Sequence, residues 1–197
     1  MIQDAILRGP LGHCFTIMDA TARASLPTGV FYTHIPTWMH PHLPADIVSL
    51  MRPDLLIIEG LTQGMVSSNN LRDPAVLHHI QTSCKIHLLE LGYTSDASYT
   101  TSLSRKHFQH VRLCRELTRA GWTLSLTETT PYHILLLGMT GHVFRPCRET
   151  LLSLGISKSA TLTLMKKLHL HAVRFAHYII RLRRRLEWTF DYDALPP

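Results

Sequence analysis

An α/β fold, a single domain with a central mixed sheet flanked by helices, is what the order of segments in this chain predicts. Three observations carry the prediction. Apolar runs of strand length, at 55–58 and 134–137, are interleaved with segments of helical period. A 45% apolar content over 197 residues is enough for one real core. The chain contains no internal repeat and closes on one long, basic segment of helical period.

The elements follow in order. Residues 2–8 read as a short helix stopped by Gly9-Pro10. CFTIMDAT, 14–21, reads as a strand ending on Asp19. Residues 25–51 hold Pro27, Pro36, Pro41 and Pro44 and read as loop, with one helical turn at 45–51. A second strand spans 54–59, and the Gly, Ser and Asn residues of 61–73 mark a polar excursion. Residues 74–82 form a short helix with Pro74 in its first turn. KIHLLELGY, 85–93, is a third strand. A helix over 104–120 has an apolar face of Phe108, Val111, Leu113 and Leu117, and Gly121 closes it. Trp122, just beyond, is a core residue, and strands follow at 122–129 and 132–139. Gly138 and Gly141 predict a turn after the last strand. A helix over 147–154 ends at Gly155, and a long one runs from an N-cap at Ser157 to about residue 188. The tail, 191–197, is expected to fray.

Composition excludes several classes. Cys14, Cys84, Cys114 and Cys147 are scattered with no CxxC pair, so neither a disulfide framework nor a zinc ribbon is expected; free buried thiols are. The 14 histidines include no HExxH, and His40, His42, His169 and His171 read as surface or packing residues. No apolar run is long enough to span a bilayer, and no signal peptide is visible, so a nuclear or cytoplasmic protein without a membrane partner is expected. The net charge of +6 is uneven: residues 145–185 carry ten Lys or Arg and only Glu149 against them, +9, which leaves −3 for the rest. Such asymmetry points to a polyanion partner, nucleic acid first and a membrane surface second.

RPDLLIIEG, 52–60, poses the chemical question. An apolar strand opens on Asp54, and a carboxylate at the mouth of a buried strand costs free energy unless something pairs with it. Glu90 sits inside the next apolar strand. If the two strands pair, both acids meet at one edge and supply oxygen ligands for Mg2+ or Mn2+. Alone, Asp54 reads equally well as a turn residue after Pro53, and Glu90 as a surface-facing acid. Glu59 lies an odd number of residues from Asp54 and belongs on the opposite face, in a structural role.

These segments resemble the PD-(D/E)XK nuclease superfamily, and more closely the restriction-like endonuclease domain of non-LTR retrotransposons. The likeness rests on RPDLLIIEG, IHLLELGYTSD, SRKHFQHVRLCRELTRAGW, LLLGMTG and KKLHLHAVRFAHYIIRLRRRLE, in that order. It divides a single domain, 1–190, into a poorly matched part over 1–50, a catalytic-core-like part over 52–144 and a basic helical part over 146–188. The resemblance implies a restriction-endonuclease-like fold and metal-dependent nicking of DNA. Asp54 and Glu90 would hold the metal. Where the superfamily has its lysine, this chain has Gly92; retrotransposon relatives move that lysine to the next helix, which implies the role for Lys106. Gln109 and His110, one turn on, share its helical face and are accessory candidates, as is Asp19. Asp4 is a weaker one.

In the last helix Leu164, Leu168, Ala172, Phe175, Ile179, Leu182 and Leu186 recur as a packing stripe. Lys167, Arg174, Arg181 and Arg185 recur on another face at a spacing that could track a phosphate backbone. DNA is the expected partner; the resemblance adds the RNA of a retrotransposon particle. It also implies a neighbouring reverse transcriptase, for which this chain has no room, leaving a fragment, a standalone remnant or a decayed copy. The rival reading is a catalytically inactive nucleic-acid-binding module that keeps the fold, which Gly92 favours. A third is an interaction domain with no nucleic-acid role.

Overall fold

The structure, a computed structural model, describes residues 1–18, 34–40, 43–44, 52–126 and 132–189. Asp19, the turn expected at 45–51, the end of the strand expected at 122–129 and the tail lie outside the described residues.

Within them the order is α1 (Ile2–Leu7), β1 (Phe15–Met18), β2 (Leu55–Glu59), α2 (Gln63–Ser68), α3 (Pro74–Ser83), β3 (Lys85–Thr94), α4 (Tyr99–Gln109), α5 (Val111–Arg119), β4 (Thr123–Leu124), β5 (His133–Gly138), α6 (Arg145–Ser153) and α7 (Lys158–Thr189). The five strands form one mixed open sheet. β1, β2 and β3 are antiparallel neighbours, while β4 and β5 both run parallel to β3 on its other side. The fold is therefore α/β with a mixed sheet and a long C-terminal helix, as the segment order predicts.

Alternation along the strands sends side chains to two buried faces. On one, Leu56, Ile58, Ile86 and Leu88 pack with Ile80 of α3, Leu113 and Leu117 of α5, and Trp122. On the other, Leu55, Ile57, Leu89 and Leu135 pack with Ile6 of α1, Leu151 of α6, and Leu164 and Leu168 of α7. The four cysteines are free and buried, Cys84 and Cys114 on the first face, Cys14 and Cys147 on the second. The Trp122 indole N–H donates to Met39 O over 3.1 Å.

Several expectations need correction. The polar excursion contains a helix, α2, whose N-cap Thr62 accepts from Met65 N. The helix expected at 104–120 starts five residues earlier and is broken at His110 into α4 and α5. Phe108, assigned to its apolar face, is 74% exposed; Leu113 and Leu117 of that face are buried, and Cys114 joins them. The Ser157 cap holds, its hydroxyl accepting from Ala160 N over 3.3 Å. The turn after β5 also holds, with Gly141 at φ +90, a conformation that suits glycine. The packing stripe of α7 is only half used: Leu164 and Leu168 are buried, but Phe175 is 59% and Ile179 41% exposed.

Candidate active site

The register of β2 with β3 ends on Leu55 opposite Leu89, which sets Asp54 opposite Glu90 one step further. The Asp54 Oδ2 accepts from the Leu91 backbone N–H over 2.6 Å, so the carboxylate is tied across to β3. Leu56 and Leu88 face the first core; alternation carries that face to positions 54 and 90. Asp54 is half-buried and Glu90 buried.

Two side chains converge on Glu90. Lys106 Nζ donates to its Oε1, and His110 Nε2 lies 2.8 Å from its Oε2. The helix break makes this convergence possible. His110 leaves helical geometry, at φ −114 and ψ 11, between α4 and α5. Tyr132 pins the break: its hydroxyl donates to Lys106 O and accepts from His110 N over 3.3 Å. Burial raises the Glu90 carboxyl, but the hydrogen bonds and charges of His110 and Lys106 outweigh it and hold the group below its ordinary range. Glu90 is thus an anion kept ionised in a dry place, anchored on both oxygens.

Gly92 explains the position of Lys106. A Cβ on Gly92 would stand 3.3 Å from Lys106 Cε and 3.9 Å from its Nζ. The space beside position 92 is filled by a lysine arriving from α4.

The structure treats the other candidates differently. Gln109 is exposed, and among the described contacts nothing brings it to Glu90. Asp19 lies outside the described residues. Asp4 pairs with Arg8 at 3.1 Å on the surface. Glu59 pairs with His87 at 2.8 Å, on the face opposite Asp54. His87 in turn stacks on His133 at 6.0 Å between ring centroids, and burial with His87 nearby drives His133 down to about 4. Lys167, Arg174, Arg181 and Arg185 are exposed along α7. Tyr132 is the site residue that sequence reasoning missed; it lies 26 residues from Lys106 in the chain, and no spacing rule links them.

Asp54 and Glu90 are hard oxygen donors, the kind Mg2+ takes, and Mg2+ is commonly held by one or two carboxylates with water and substrate phosphate completing its shell. In donor type the pair fits such an ion. Among the described residues no group of three or more His, Cys, Asp or Glu side chains is gathered to hold a metal. No family model, no curated protein and no solved structure matches the chain.

Proposed function

We propose that this chain is a metal-dependent endonuclease of the PD-(D/E)XK kind, similar to the endonuclease domain of non-LTR retrotransposons, and that it hydrolyses a DNA phosphodiester to leave a nick. The observation that carries this reading is the meeting of Asp54, Glu90 and Lys106. Three residues picked out by a sequence motif, one just before β2, one in β3 and one in α4, fall on one face of the sheet, and the lysine fills the space beside Gly92.

In this reading Asp54 and Glu90 hold Mg2+ or Mn2+. Such an ion, when bound, neutralises phosphate charge and acidifies water. The chain's own residues do the rest. The Leu91 N–H orients Asp54. His110 fixes one oxygen of Glu90, so the carboxylate presents a defined geometry. Lys106, half-buried beside it, offers a fixed N–H donor to charge developing on the phosphate. The exposed Lys167, Arg174, Arg181 and Arg185 of α7 hold the duplex through its phosphates.

A second reading has its own support. Both Glu90 oxygens already have partners, and only two acids gather among the described residues. A catalytically inactive nucleic-acid-binding module would keep this arrangement as a structural ion network. Incubation with supercoiled plasmid and Mg2+ or Mn2+, beside Asp54→Ala and an EDTA control, separates the two. Nicking by the unaltered chain alone is the expected result. Salt-sensitive DNA binding without nicking would move the reading to the binding module.

A further inference from the structure

We propose that the outer half of α7 is a docking surface for an acidic amphipathic helix of a partner protein, which pairs with it in coiled-coil fashion. The proposal does not depend on nuclease activity: its apolar seam lies apart from Asp54, Glu90 and Lys106, although it shares Arg174 and Arg181 with the phosphate contacts proposed above.

The packing of α7 changes abruptly along its length. Thr161, Leu164 and Leu168 are buried against the body of the molecule. Beyond Leu168 no residue of the helix up to Arg185 is buried, and Phe175, Tyr178 and Ile179 are large, apolar and exposed. Yet the stripe that packs at Leu164 and Leu168 does not stop there. It continues through Ala172, Phe175, Ile179 and Leu182, with steps of 4, 3, 4 and 3 residues from Leu168 onward. That alternation has the spacing of a coiled-coil seam, and Leu170, Val173 and Ile180 are exposed outside it.

Charge selects the occupant. From Lys158 to Arg185 the helix has no acidic residue. Arg183 flanks the seam on one side, and Arg174 and Arg181 run one row out on the other. Among the described residues, none of these three forms an ion pair. A second copy of the chain would bring no acidic side chain to the flanks of the seam and so would leave the arginines without cross-helix partners. A duplex would satisfy the arginines but leave the apolar seam in water. An anionic bilayer would satisfy both, but Leu164 and Leu168 lie on the same stripe and face the body, so the body stands on the side from which a flat surface would have to approach. A slim helix with acidic flanks satisfies seam and arginines together and fits the corner between helix and body. At that corner a groove of about 610 Å³ opens, lined by Met1, Ile2, Tyr93, Leu168 and His171.

The test uses the full chain and two synthetic coiled-coil peptides with the same apolar heptad seam, one with glutamate and one with lysine at the flanking positions. Binding is read by fluorescence anisotropy. The acidic peptide is expected to bind saturably, the lysine peptide at least tenfold more weakly. Phe175→Ser with Ile179→Ser should weaken the acidic peptide at least tenfold while thermal unfolding and duplex binding stay unchanged. Equal binding of both peptides, or no loss in the double variant, overturns the proposal. So does a dimer of the unaltered chain in light scattering that the double variant abolishes, which would assign the seam to a second copy. Preferential binding to anionic vesicles that is lost in the double variant would assign it to a membrane surface and equally overturn the proposal.

Discussion

A Cβ on Gly92 would also come 3.0 Å from Leu136 Cδ2, so position 92 has neither an open side nor a need for its own cation while Lys106 is present. This predicts a swap. Lys106→Ala should lower plasmid nicking by about 10²-fold or more, the scale of one preorganised donor. The fold should survive, since His110 still pairs with Glu90. Adding Gly92→Lys to Lys106→Ala refills the vacated space from the strand and should recover part of the lost rate; no recovery at all in a folded double variant would count against a catalytic lysine here. His110→Ala is expected to act differently. It removes a buried partner of Glu90, where Lys106 is part-exposed (side chains 4% and 21% accessible), and stripping a buried acceptor of a hydrogen bond costs roughly 1–3 kcal/mol. Urea midpoints for this variant should fall well below those of Lys106→Ala. Asp54, Glu90 and Lys106 were legible in the sequence because a carboxylate in an apolar run, or a basic helix start, is visible locally. Tyr132 was not: a buried tyrosine before an apolar strand reads as core, and only the tertiary fold brings its hydroxyl to the α4–α5 break.

Among the elements, α7 holds the sharpest contrast. Leu168→Ala removes a buried side chain and should cost about 2–5 kcal/mol in chemical denaturation. Phe175→Ala, one heptad on in the same stripe, should change stability by less than about 0.5 kcal/mol. Equal losses would mean that something in the isolated chain covers the outer helix. Periodicity identified the stripe but could not say where the body ends beneath it, since the pattern is the same on both halves. Other failures have similar causes. α2 was hidden by its Gly and Ser content, although Thr62 is a sound N-cap. The start of α4 was hidden by Tyr99, Thr100 and Thr101, residues of modest helix propensity that tertiary contacts override. The break at His110 has no Gly or Pro to announce it. The three antiparallel strands and the parallel return to β3 were readable only as apolar runs, because register depends on which face each neighbour buries.

For the whole molecule, pH and salt test different halves of the charge distribution. His133 is held neutral down to about 4, whereas the unfolded chain takes up that proton near ~6.5. The native state therefore binds fewer protons over this interval, and stability must fall as the pH drops through it. The loss between pH 7 and pH 4.5 should be on the order of 2–3 kcal/mol from this residue, and His133→Gln should flatten the slope by that amount. Glu90 adds to the loss only at the acid end: its lowered carboxyl contributes stability above the ordinary glutamate value, ~4.3, and surrenders it below. Salt reports on the basic segment. If the four expected side chains of α7 each meet one phosphate, log affinity for duplex should fall with log salt at a slope of roughly −3 to −4, and Arg174→Ala with Arg181→Ala should remove about half of it. A slope near zero would mean that the +9 segment serves something other than a polyanion.

The placement of the four thiols equips the molecule with internal clocks. Burial drives Cys114 up to about 12 and Cys147 up to about 11, and raises Cys14 and Cys84 as well, so in the native state none offers a ready thiolate to an alkylating reagent. Each becomes reactive only when its surroundings open. Because Cys84 and Cys114 belong to one side of the sheet and Cys14 and Cys147 to the other, the order in which a mass spectrometer sees them modified reports which layer separates first. No engineered label is needed to follow how this chain comes apart.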